Sequence, residues 1–528
     1  MTASCPKAIA LPHQWRFAVV IAGVIILLCL FQGNLDSNEA GKLALARQAV
    51  DPTWIPGDWY LNNPQSYQWL FQQLAGRAVL ALGFPVGSLL VRLLGYGFWS
   101  WGLAALVRRL QLPIAGAALA ALLFGLEQSA AAGEWMVGGA EPKTFAYGAV
   151  LLAYVALGER RWWASGVWSG LACSFHILVG GYGVMALVAL SAWAWLDGRL
   201  QLSRGGALRW CLGCGLAAVP ILLPLLEQFG SRNGAAPPQG IPPVTWIYVF
   251  LRNPHHLVAT SWSGQDWLHA LLFVLLFGLL AWWVQVAPAP DAELNVQRRE
   301  LVRWMLVAGL PAMAGLALAV LDRQGVLLRY YPFRFADSLL MLVVSLLLVS
   351  WAASWLQRRW LWWGMALLLA AQVLPQLPQI PTSLRAGFVD NPAKQELYGW
   401  LRRNSSRDGL VLAPPAGFED LSVATARPVV VQFKQVPTSP QALATWYTRL
   451  SDLAAADPRV WEGPGGMPAR WRLAKAYDQL DANSWPGLLK RYRPAVVVTR
   501  SDRPGPPGWQ RVFRDRHWSL WLAGTPRG

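Results

Sequence analysis

The stretch QGNLDSNEAGKLALARQAVDPTWIPGDWYLNN, residues 32–63, follows the first apolar segment of the chain. It carries Asp36, Glu39, Asp51 and Asp58, although Asp and Glu together number only 28 among the 528 residues. The apolar segment before it and the apolar runs after it leave this acidic stretch at a membrane surface. We therefore interpret residues 32–63 as the first outer loop of a membrane protein.

The composition supports this interpretation. Hydrophobic residues make up 55% of the chain and charged residues only 14%, whereas soluble domains have roughly 25% charged residues. The net charge of +17 does not indicate nucleic acid as a partner, because many basic residues lie in short loops between apolar runs, where they set membrane orientation. Others lie in the tail, where they can face anionic lipid.

The apolar runs predict a polytopic α-helical membrane protein with about eleven spans, since a spanning helix needs roughly 20 apolar residues. Residues 67–82 are amphipathic and predict a segment near the interface. The predicted spans are 17–31, 84–106, 114–131, 144–157, 162–179, 181–196, 210–226, 267–286, 304–321, 338–356 and 360–373.

Basic doublets fix the predicted orientation. The doublets at 108–109, 160–161, 298–299 and 358–359 all fall on one side of the membrane, which is the cytoplasmic side by the positive-inside rule. The N-terminus is then inside, as a retained signal anchor, and the C-terminus outside. The acidic stretch, the loops 133–143, 230–264 and 322–337 and the tail share the outer face.

The tail differs from the rest of the chain. A proline-rich segment, LPQLPQIPTS, precedes a much less apolar sequence. Short β-branched runs at 409–412, 428–433 and 495–499 predict strands, 509–522 predicts a closing hairpin, and 394–403, 441–453 and 470–480 predict helices. The predicted organisation is a transmembrane domain over 1–376 and a soluble, mixed α/β, extracytoplasmic domain over 377–528.

Three acids of the outer loop are candidate catalytic residues. Asp36 and Glu39 lie three residues apart, on one face of a helix, and a carboxylate there can accept the proton of an incoming hydroxyl. Their spacing is equally that of a helix-capping pair, and Glu39 can pair with Lys42. Asp58, beside Trp59, is either a second carboxylate near a sugar or a solvated acid of the loop.

The predicted substrate-binding residues lie in the other outer segments. Lys143 can contact a lipid phosphate or extend along the bilayer surface, and His176 lies in an apolar hairpin turn, as a site residue or a structural one. Arg guanidinium groups suit phosphate oxygens; interfacial anchoring, with an Arg334–Asp337 pair, is the alternative. The predicted set is Lys143, His176, Arg329, Tyr331 and Arg334. No metal site is predicted, because the neighbouring histidines His255 and His256 lack a visible third ligand.

This layout resembles the GT-C-type membrane glycosyltransferases. The shared features are an acidic first outer loop after span one, short inner hairpins and a soluble outer C-terminal domain. The tail is also similar to poorly characterised bacterial membrane proteins of this shape, in GLVLAPP at 409–415, the run from Ala426-Arg427 to Phe433-Lys434, and Trp446-x-x-Arg449. The resemblance implies transfer of a sugar from a polyprenyl-phosphate carrier with inversion, using an acid of the first outer loop as general base. The family usually has adjacent Asp-Glu there, whereas this chain separates Asp36 and Glu39 by two residues.

The implied partners are a polyprenyl-phosphate-linked sugar, membrane lipid and an acceptor glycan, lipid or protein. The expected location is a bacterial cytoplasmic membrane. The resemblance leaves the cofactor open, since branches of the family differ in using a divalent metal. Two other functions remain: a transporter or flippase of a lipid-linked solute, which requires mid-span charges and broken helices in paired positions, and a non-catalytic assembly or scaffold protein.

Overall fold

A computed structural model of the chain describes residues 14–30, 37–63, 68–200, 203–230, 240–287, 291–379 and 392–523. The fold is mostly helical, with a small sheet near the C-terminus. The α-helices of the first part are α1 Gln14–Ile25, α2 Ser37–Val50, α3 Trp69–Arg109, α4 Ile114–Leu126, α5 Pro142–Gly158, α6 Trp162–Phe175, α7 Ile177–Leu196, α8 Arg204–Gly230, α9 Val244–Trp246, α10 Pro254–Leu257, α11 Gly264–Val286, α12 Ala292–Leu321, α13 Arg334–Trp355 and α14 Arg358–Val373.

Seven helices within the described ranges are long and apolar enough to cross a membrane, and two shorter apolar helices, Gln14–Cys29 and Ile114–Leu126, accompany them. The polytopic membrane fold is therefore confirmed, whereas the count of eleven spans and the N-in/C-out orientation stay predictions. The seven are Trp69–Arg109, Ile177–Leu196, Arg204–Leu226, Gly264–Val286, Ala292–Leu321, Arg334–Trp355 and Arg358–Pro378.

Two buried helices form the centre of the helical part. Every residue of α5 from Pro142 to Leu157 is buried, and so is most of α13. Tyr147 of α5 stacks on Phe335 of α13, with their ring centroids 5.9 Å apart. By contrast, α8, α11 and α14 expose many Leu and Trp side chains, as lipid-facing helices do. Side chains in the first turns of α5 and α13 are therefore held by two well-packed, buried helices.

The long helix α3 is broken at Gly83, whose φ of 75° and ψ of 169° are not helical. Glycine takes a positive φ without steric cost, and Pro85 follows two residues later. The sequence predicted this division, with an amphipathic segment before residue 83 and a span after it.

Within residues 392–523 the tail has five α-helices and four strands. They are α15 Gln395–Asn404, α16 Leu421–Thr425, α17 Pro440–Leu453, α18 Met467–Asp478, α19 Trp485–Tyr492, β1 Val411–Leu412, β2 Val496–Arg500, β3 Trp509–Arg514 and β4 Trp518–Ala523. The sheet order is β1-β2-β4-β3, with β1 parallel to β2 and the other pairs antiparallel. Val411 aligns with Val496, and Val496 with Leu522.

Most of the predicted tail elements are confirmed, including the closing hairpin. The predicted strand at 428–433 is wrong, since only an isolated bridge joins Val429 to Val411. A longer ladder does not form because β1 ends at Leu412, and the Phe433 N–H donates to the Pro415 carbonyl beyond it. On the side away from β1, the Val429 N–H donates to the carboxylate of Asp58, 3.0 Å away, in the first outer loop.

Candidate functional site

A cavity of about 660 Å³ lies between the helical part of the chain and the tail. Six segments line it, together with Tyr60 and Gln68: the first turns of α2, the loop before α5 with the first residues of that helix, the start of α7 at 176–178, residues 244–256, residues 329–334, and the tail between 433 and 470. All of these segments except 176–178 belong to the loops and the tail that the sequence analysis assigned to the outer face of the membrane. The structure brings them together around one space.

All five predicted substrate-binding residues line this cavity, together with further cations that the sequence analysis did not select. The predicted residues are Lys143, His176, Arg329, Tyr331 and Arg334. The further cations are Lys42, Arg252, Lys434 and Arg470. Among the described residues only two carboxylates, Glu134 and Glu141, line the same space. The cavity therefore carries an excess of positive charge and suits an anionic ligand.

Glu134 is the centre of the charged network. Its carboxylate accepts a hydrogen bond from Arg334 Nε at 2.9 Å and lies 3.9 Å from Lys143 Nζ and 3.7 Å from His256 Nδ1. Burial alone would raise the pKa of Glu134, but the neighbouring Arg334, His256 and Lys143 outweigh it and hold this pKa below its ordinary value. Glu134 thus stays ionised and orders the cations around it.

Lys143 is positioned by the first turn of α5. Its ammonium group lies 3.5 Å from Glu141 and 3.1 Å from the centre of the Trp135 ring. A desolvated ammonium over an indole face is a favourable cation–π arrangement. Lys143 is buried, so the alternative of a side chain extended along the bilayer surface does not describe it.

Arg334, the first residue of α13, stacks its guanidinium 3.7 Å from the centre of the Tyr331 ring. Tyr331 adopts a left-handed conformation with φ of 57°, and its hydroxyl lies 3.2 Å from that of Tyr248. The predicted alternative, an Arg334–Asp337 pair, is not what the structure has, because Arg334 pairs with Glu134 instead.

Arg329 contributes a donor that has no acceptor among the described residues. One of its terminal nitrogens donates to Tyr330 at 2.8 Å, whereas its buried Nε–H has no partner there. A buried, unsatisfied donor costs roughly 1–3 kcal/mol. Such a group in a cationic cavity is consistent with a site that a ligand oxygen completes.

Three histidines line the cavity with different roles. His176 caps α7, and its Nδ1 accepts the Val179 N–H at 3.4 Å. His256 Nδ1 lies 2.6 Å from the Ala132 carbonyl. Burial lowers the pKa of His256 below its ordinary value, and partial desolvation by the cavity walls, with His256 and Arg252 close by, lowers that of His255 to about 3. His255 and His256 are therefore neutral at pH 7.

A second buried carboxylate, Asp337, holds the loop that carries Glu134. It accepts backbone N–H groups and the Ser129 hydroxyl, and it lies one helical turn after Arg334. The donors to Asp337 are the N–H groups of Ala130 (3.0 Å), Ala131 (2.8 Å), Ala132 (3.0 Å) and Glu134 (3.2 Å) and the hydroxyl of Ser129 (2.7 Å). We refer to residues 129–134, held in this way, as the Asp337 cradle.

The predicted catalytic acids lie elsewhere. Glu39 is fully buried and does not line the cavity. It accepts two hydrogen bonds from Arg92 Nε, at 2.9 and 3.1 Å, and one from the Ser88 hydroxyl at 2.5 Å. The predicted pairing with Lys42 is not among its contacts. Asp36 lies outside the described residues.

Asp58 is also buried and does not line the cavity. It accepts N–H groups of Tyr60 at 3.0 Å and Leu61 at 2.9 Å in its own loop, and of Val429 in the tail. Burial raises the pKa of Asp58, against these three donors. The structure places Asp58 as a link between the outer loop and the tail, so the alternative of a solvated loop acid does not hold.

The tail forms one wall of the cavity and is held there by backbone contacts. The buried Arg252 donates from Nε to the Phe433 carbonyl at 3.1 Å. The Gly466 N–H donates to the Leu251 carbonyl at 2.6 Å. At Gly465 a Cβ would lie 2.0 Å from the Phe250 carbonyl oxygen, so only glycine permits this approach.

Sequence reasoning missed Glu134, Glu141, Asp337 as a loop anchor, and His256 as a site residue. A single glutamate in a glycine-rich loop has no motif. The available signal was topological, since the loops 133–143 and 322–337 were assigned to one face and carry opposite charges. Within the described ranges, no three His, Cys, Asp or Glu side chains cluster so as to hold a metal ion.

Comparisons with known proteins place the fold. A family model described as a domain of unknown function, DUF6798, matches residues 392–453 of the tail. No curated protein matches the chain by sequence. The crystal structure of ArnT from Cupriavidus metallidurans bound to undecaprenyl phosphate superposes with a TM-score of 0.50 at 13% identity, covering 98% of this chain and 99% of that chain.

Two further structures align less closely. ArnT from the same organism in the apo state has a TM-score of 0.45 at 12% identity, with 97% of each chain covered. The oligosaccharyltransferase AglB from Archaeoglobus fulgidus, in complex with an inhibitory peptide and a dolichol-phosphate, has a TM-score of 0.44 at 11% identity, covering 93% of this chain and 69% of that chain. The superposition on ArnT covers helices and tail alike, and the chain therefore shares the polytopic fold of ArnT.

Proposed function

We propose that the chain is a membrane glycosyltransferase that moves a sugar from a polyprenyl-phosphate donor to an acceptor, with inversion, on the outer face of the cytoplasmic membrane. The observation that carries the proposal is the cationic cavity with the unsatisfied Arg329 donor. A phosphate monoester offers the oxygens and the charge that this cavity lacks. ArnT, which has the same fold, was crystallised with undecaprenyl phosphate.

In this proposal Arg329, Arg334 and Lys143 hold the phosphate of the donor. When the bond between the anomeric carbon and the phosphate oxygen breaks, the bonding electrons go to the phosphate, and charge develops on its oxygens. Fixed cations in a water-poor site stabilise such charge more strongly than bulk water does. Glu134 keeps Arg334 and Lys143 in place. In the absence of the donor, its negative charge offsets the repulsion between these two cations.

The aromatic groups suit the sugar and the lipid. Tyr248 and Tyr331 lie edge to face beside Arg334, with ring centroids 6.2 Å apart, and Trp135 lies beneath Lys143. Lys143 and Arg334 lie at the first turns of the central helices α5 and α13, and both line the cavity. We infer that the tail wall, around Lys434 and Arg470, contacts the acceptor.

Binding of undecaprenyl phosphate to the purified full-length chain tests the donor half of the proposal. Arg329→Ala should weaken binding by about 10- to 100-fold, since a hydrogen bond to a charged group contributes roughly 1.5–3 kcal/mol. Arg323→Ala is the matched control, because Arg323 is exposed in the same connection and does not line the cavity. Neutral undecaprenol should bind weakly to the unmodified chain.

Transfer itself is tested with a panel of polyprenyl-phosphate sugars in nanodiscs, with water and purified envelope glycans and lipids as acceptors. We expect release of polyprenyl phosphate from at least one donor. Equal binding of undecaprenol and undecaprenyl phosphate, together with no turnover of any donor, would contradict the proposal.

A further inference from the structure

We propose that His256 is the general base of the sugar transfer, and that its Nε2 atom takes the proton of the acceptor hydroxyl. The inference rests on the proposed function and adds a catalytic residue to it. It departs from the sequence-based prediction, which gave this role to an acid of the first outer loop.

The hydrogen bond at Nδ1 fixes the state of the ring. Nδ1 lies 2.6 Å from the Ala132 carbonyl oxygen, and a carbonyl oxygen can only accept. The proton of the neutral imidazole is therefore on Nδ1, and the lone pair is on Nε2. The side chain lines the cavity and is 19% exposed. No group among the described residues hydrogen-bonds Nε2, so the basic atom is available to a ligand.

The surroundings of the ring suit a base that becomes positively charged. The carboxylate of Glu134 lies 3.7 Å from Nδ1, where it stabilises the imidazolium that forms, as the buried carboxylate does in carboxylate–histidine catalytic pairs. The Asp337 cradle fixes both partners, since it holds the backbone of Glu134 and the carbonyl of Ala132. The side chain and its counter-charge are therefore positioned by one element.

The charged and titratable groups that face His256 are Glu134, Arg334, Lys143, the adjacent His255 and Tyr331, whose ring centroid lies 6.2 Å from that of His256. Burial and the two cations keep the ring neutral at pH 7, and a neutral ring is the form that accepts a proton. His255 suits the role less well. Its ring lies 4.0 Å from that of His256, but a pKa of about 3 makes it a weak base at neutral pH.

The step balances without a further reactant. The acceptor oxygen forms a bond to the anomeric carbon while the bond from that carbon to the phosphate oxygen breaks. The bonding electrons leave with the polyprenyl phosphate, and the acceptor proton moves to Nε2. The resulting imidazolium later releases that proton to water.

His256→Asn separates this role from a structural one. The Asn amide can replace the Nδ1–H donor to Ala132, but it offers no base at the position of Nε2. We expect kcat to fall by about 100-fold or more, with the KM for donor changed less than threefold. The decrease in activity of the unmodified enzyme at acid pH should disappear from the pH profile of the variant.

His269→Asn is the matched control. His269 Nδ1 lies 2.8 Å from the Ala130 carbonyl of the same cradle, but His269 does not line the cavity. This variant should keep both the rate and the pH profile. If His256→Asn keeps the normal rate or the acid limb, the assignment is wrong. If Asp36→Asn alone removes that limb, Asp36 is the base.

A readout independent of turnover covers the case in which a variant is unstable. Diethyl pyrocarbonate reacts with unprotonated imidazole nitrogens, and mass spectrometry locates the product. At pH 7, His256 of the unmodified enzyme should react, and undecaprenyl phosphate should protect it at least fivefold. An unreactive or unprotected His256 contradicts the proposal. The binding test with Arg329→Ala does not depend on His256. If that variant loses undecaprenyl phosphate binding while the His256 tests fail, the donor site still stands and only the assignment of the base is wrong.

Discussion

Glu39 and Arg92 are a buried ion pair inside the helical part of the chain, and removing one partner should be costly. Glu39→Ala leaves the Arg92 guanidinium buried without a counter-charge, which typically costs about 3–5 kcal/mol. The thermal midpoint of the purified protein should therefore fall strongly. A double variant, Glu39→Leu with Arg92→Met, removes both charges and should recover at least half of the loss. A double variant no more stable than Glu39→Ala would contradict this role.

The two neutral histidines of the site give a pH dependence of stability. The pKa values of His255 and His256 are lower in the folded protein than the ordinary value of about 6.5. Below that pH the unfolded chain binds more protons than the folded chain, so acidification favours unfolding. Stability should be complete above pH 6.5 and should fall as the pH decreases toward 5.

A variant with both His255→Asn and His256→Asn should lose less thermal stability between pH 7.5 and pH 5 than the unmodified protein does. Thermal unfolding at matched ionic strength measures this difference, with His269→Asn as the control. An identical pH dependence in the double variant would show that other groups cause the loss.

At the scale of elements, the Asp337 cradle determines where Glu134 lies. Asp337→Ala would leave four N–H groups and one hydroxyl without their acceptor. We expect a loss of stability of about 3–5 kcal/mol, as for other buried charged networks, and at least a tenfold weaker binding of undecaprenyl phosphate. Ser129→Ala removes one donor to Asp337 and the acceptor of the Gly133 N–H, and should cost less, about 2 kcal/mol. Unchanged lipid affinity in a folded Asp337→Ala protein would contradict a positioning role.

The elements of the tail were largely predictable because their signals are local. Apolar periodicity gave α15, α17 and α18, and β-branched runs gave β1 and β2. The strand predicted at 428–433 makes only one bridge because β1, its partner, ends at Leu412. On its other side the Val429 N–H pairs with Asp58, 371 residues earlier. In the helical part of the chain, the break of α3 at Gly83 was predictable because a glycine and a proline interrupt an apolar run of the sequence.

At the scale of the whole molecule, Asp58, Arg252 and the close approach at Gly465 join the tail to the membrane part. Asp58→Asn places an amide N–H against the Val429 N–H, or against those of Tyr60 and Leu61, so at least one donor loses its acceptor. Hydrogen exchange at residues 429–433 should become at least tenfold faster, while exchange in β2 and β4 stays unchanged. Uniform acceleration through the sheet would mean that Asp58 stabilises the tail itself rather than its attachment.

The sequence predicted only on which side of the membrane the site lies. Topology put the cationic loops on one side, and the structure joins Lys143, Arg329 and Arg334 around one cavity. Composition pointed to acids of the first loop, but Glu39 pairs with Arg92, 53 residues away, and Asp58 accepts a hydrogen bond from Val429, 371 residues away. Such long-range partners are invisible in a single sequence. The role of Glu134 became clear only from the structure, which places two cations, Arg334 and Lys143, and the imidazole of His256 around its carboxylate.

The central claim is that the cavity holds a polyprenyl phosphate. A cryo-electron microscopy structure of the full chain in nanodiscs with saturating undecaprenyl phosphate tests it most directly. We predict phosphate density within hydrogen-bond distance of Arg329 and Arg334, with the isoprenoid chain leaving the cavity toward the lipid. An empty cavity under those conditions, or phosphate density away from both guanidinium groups, would contradict it.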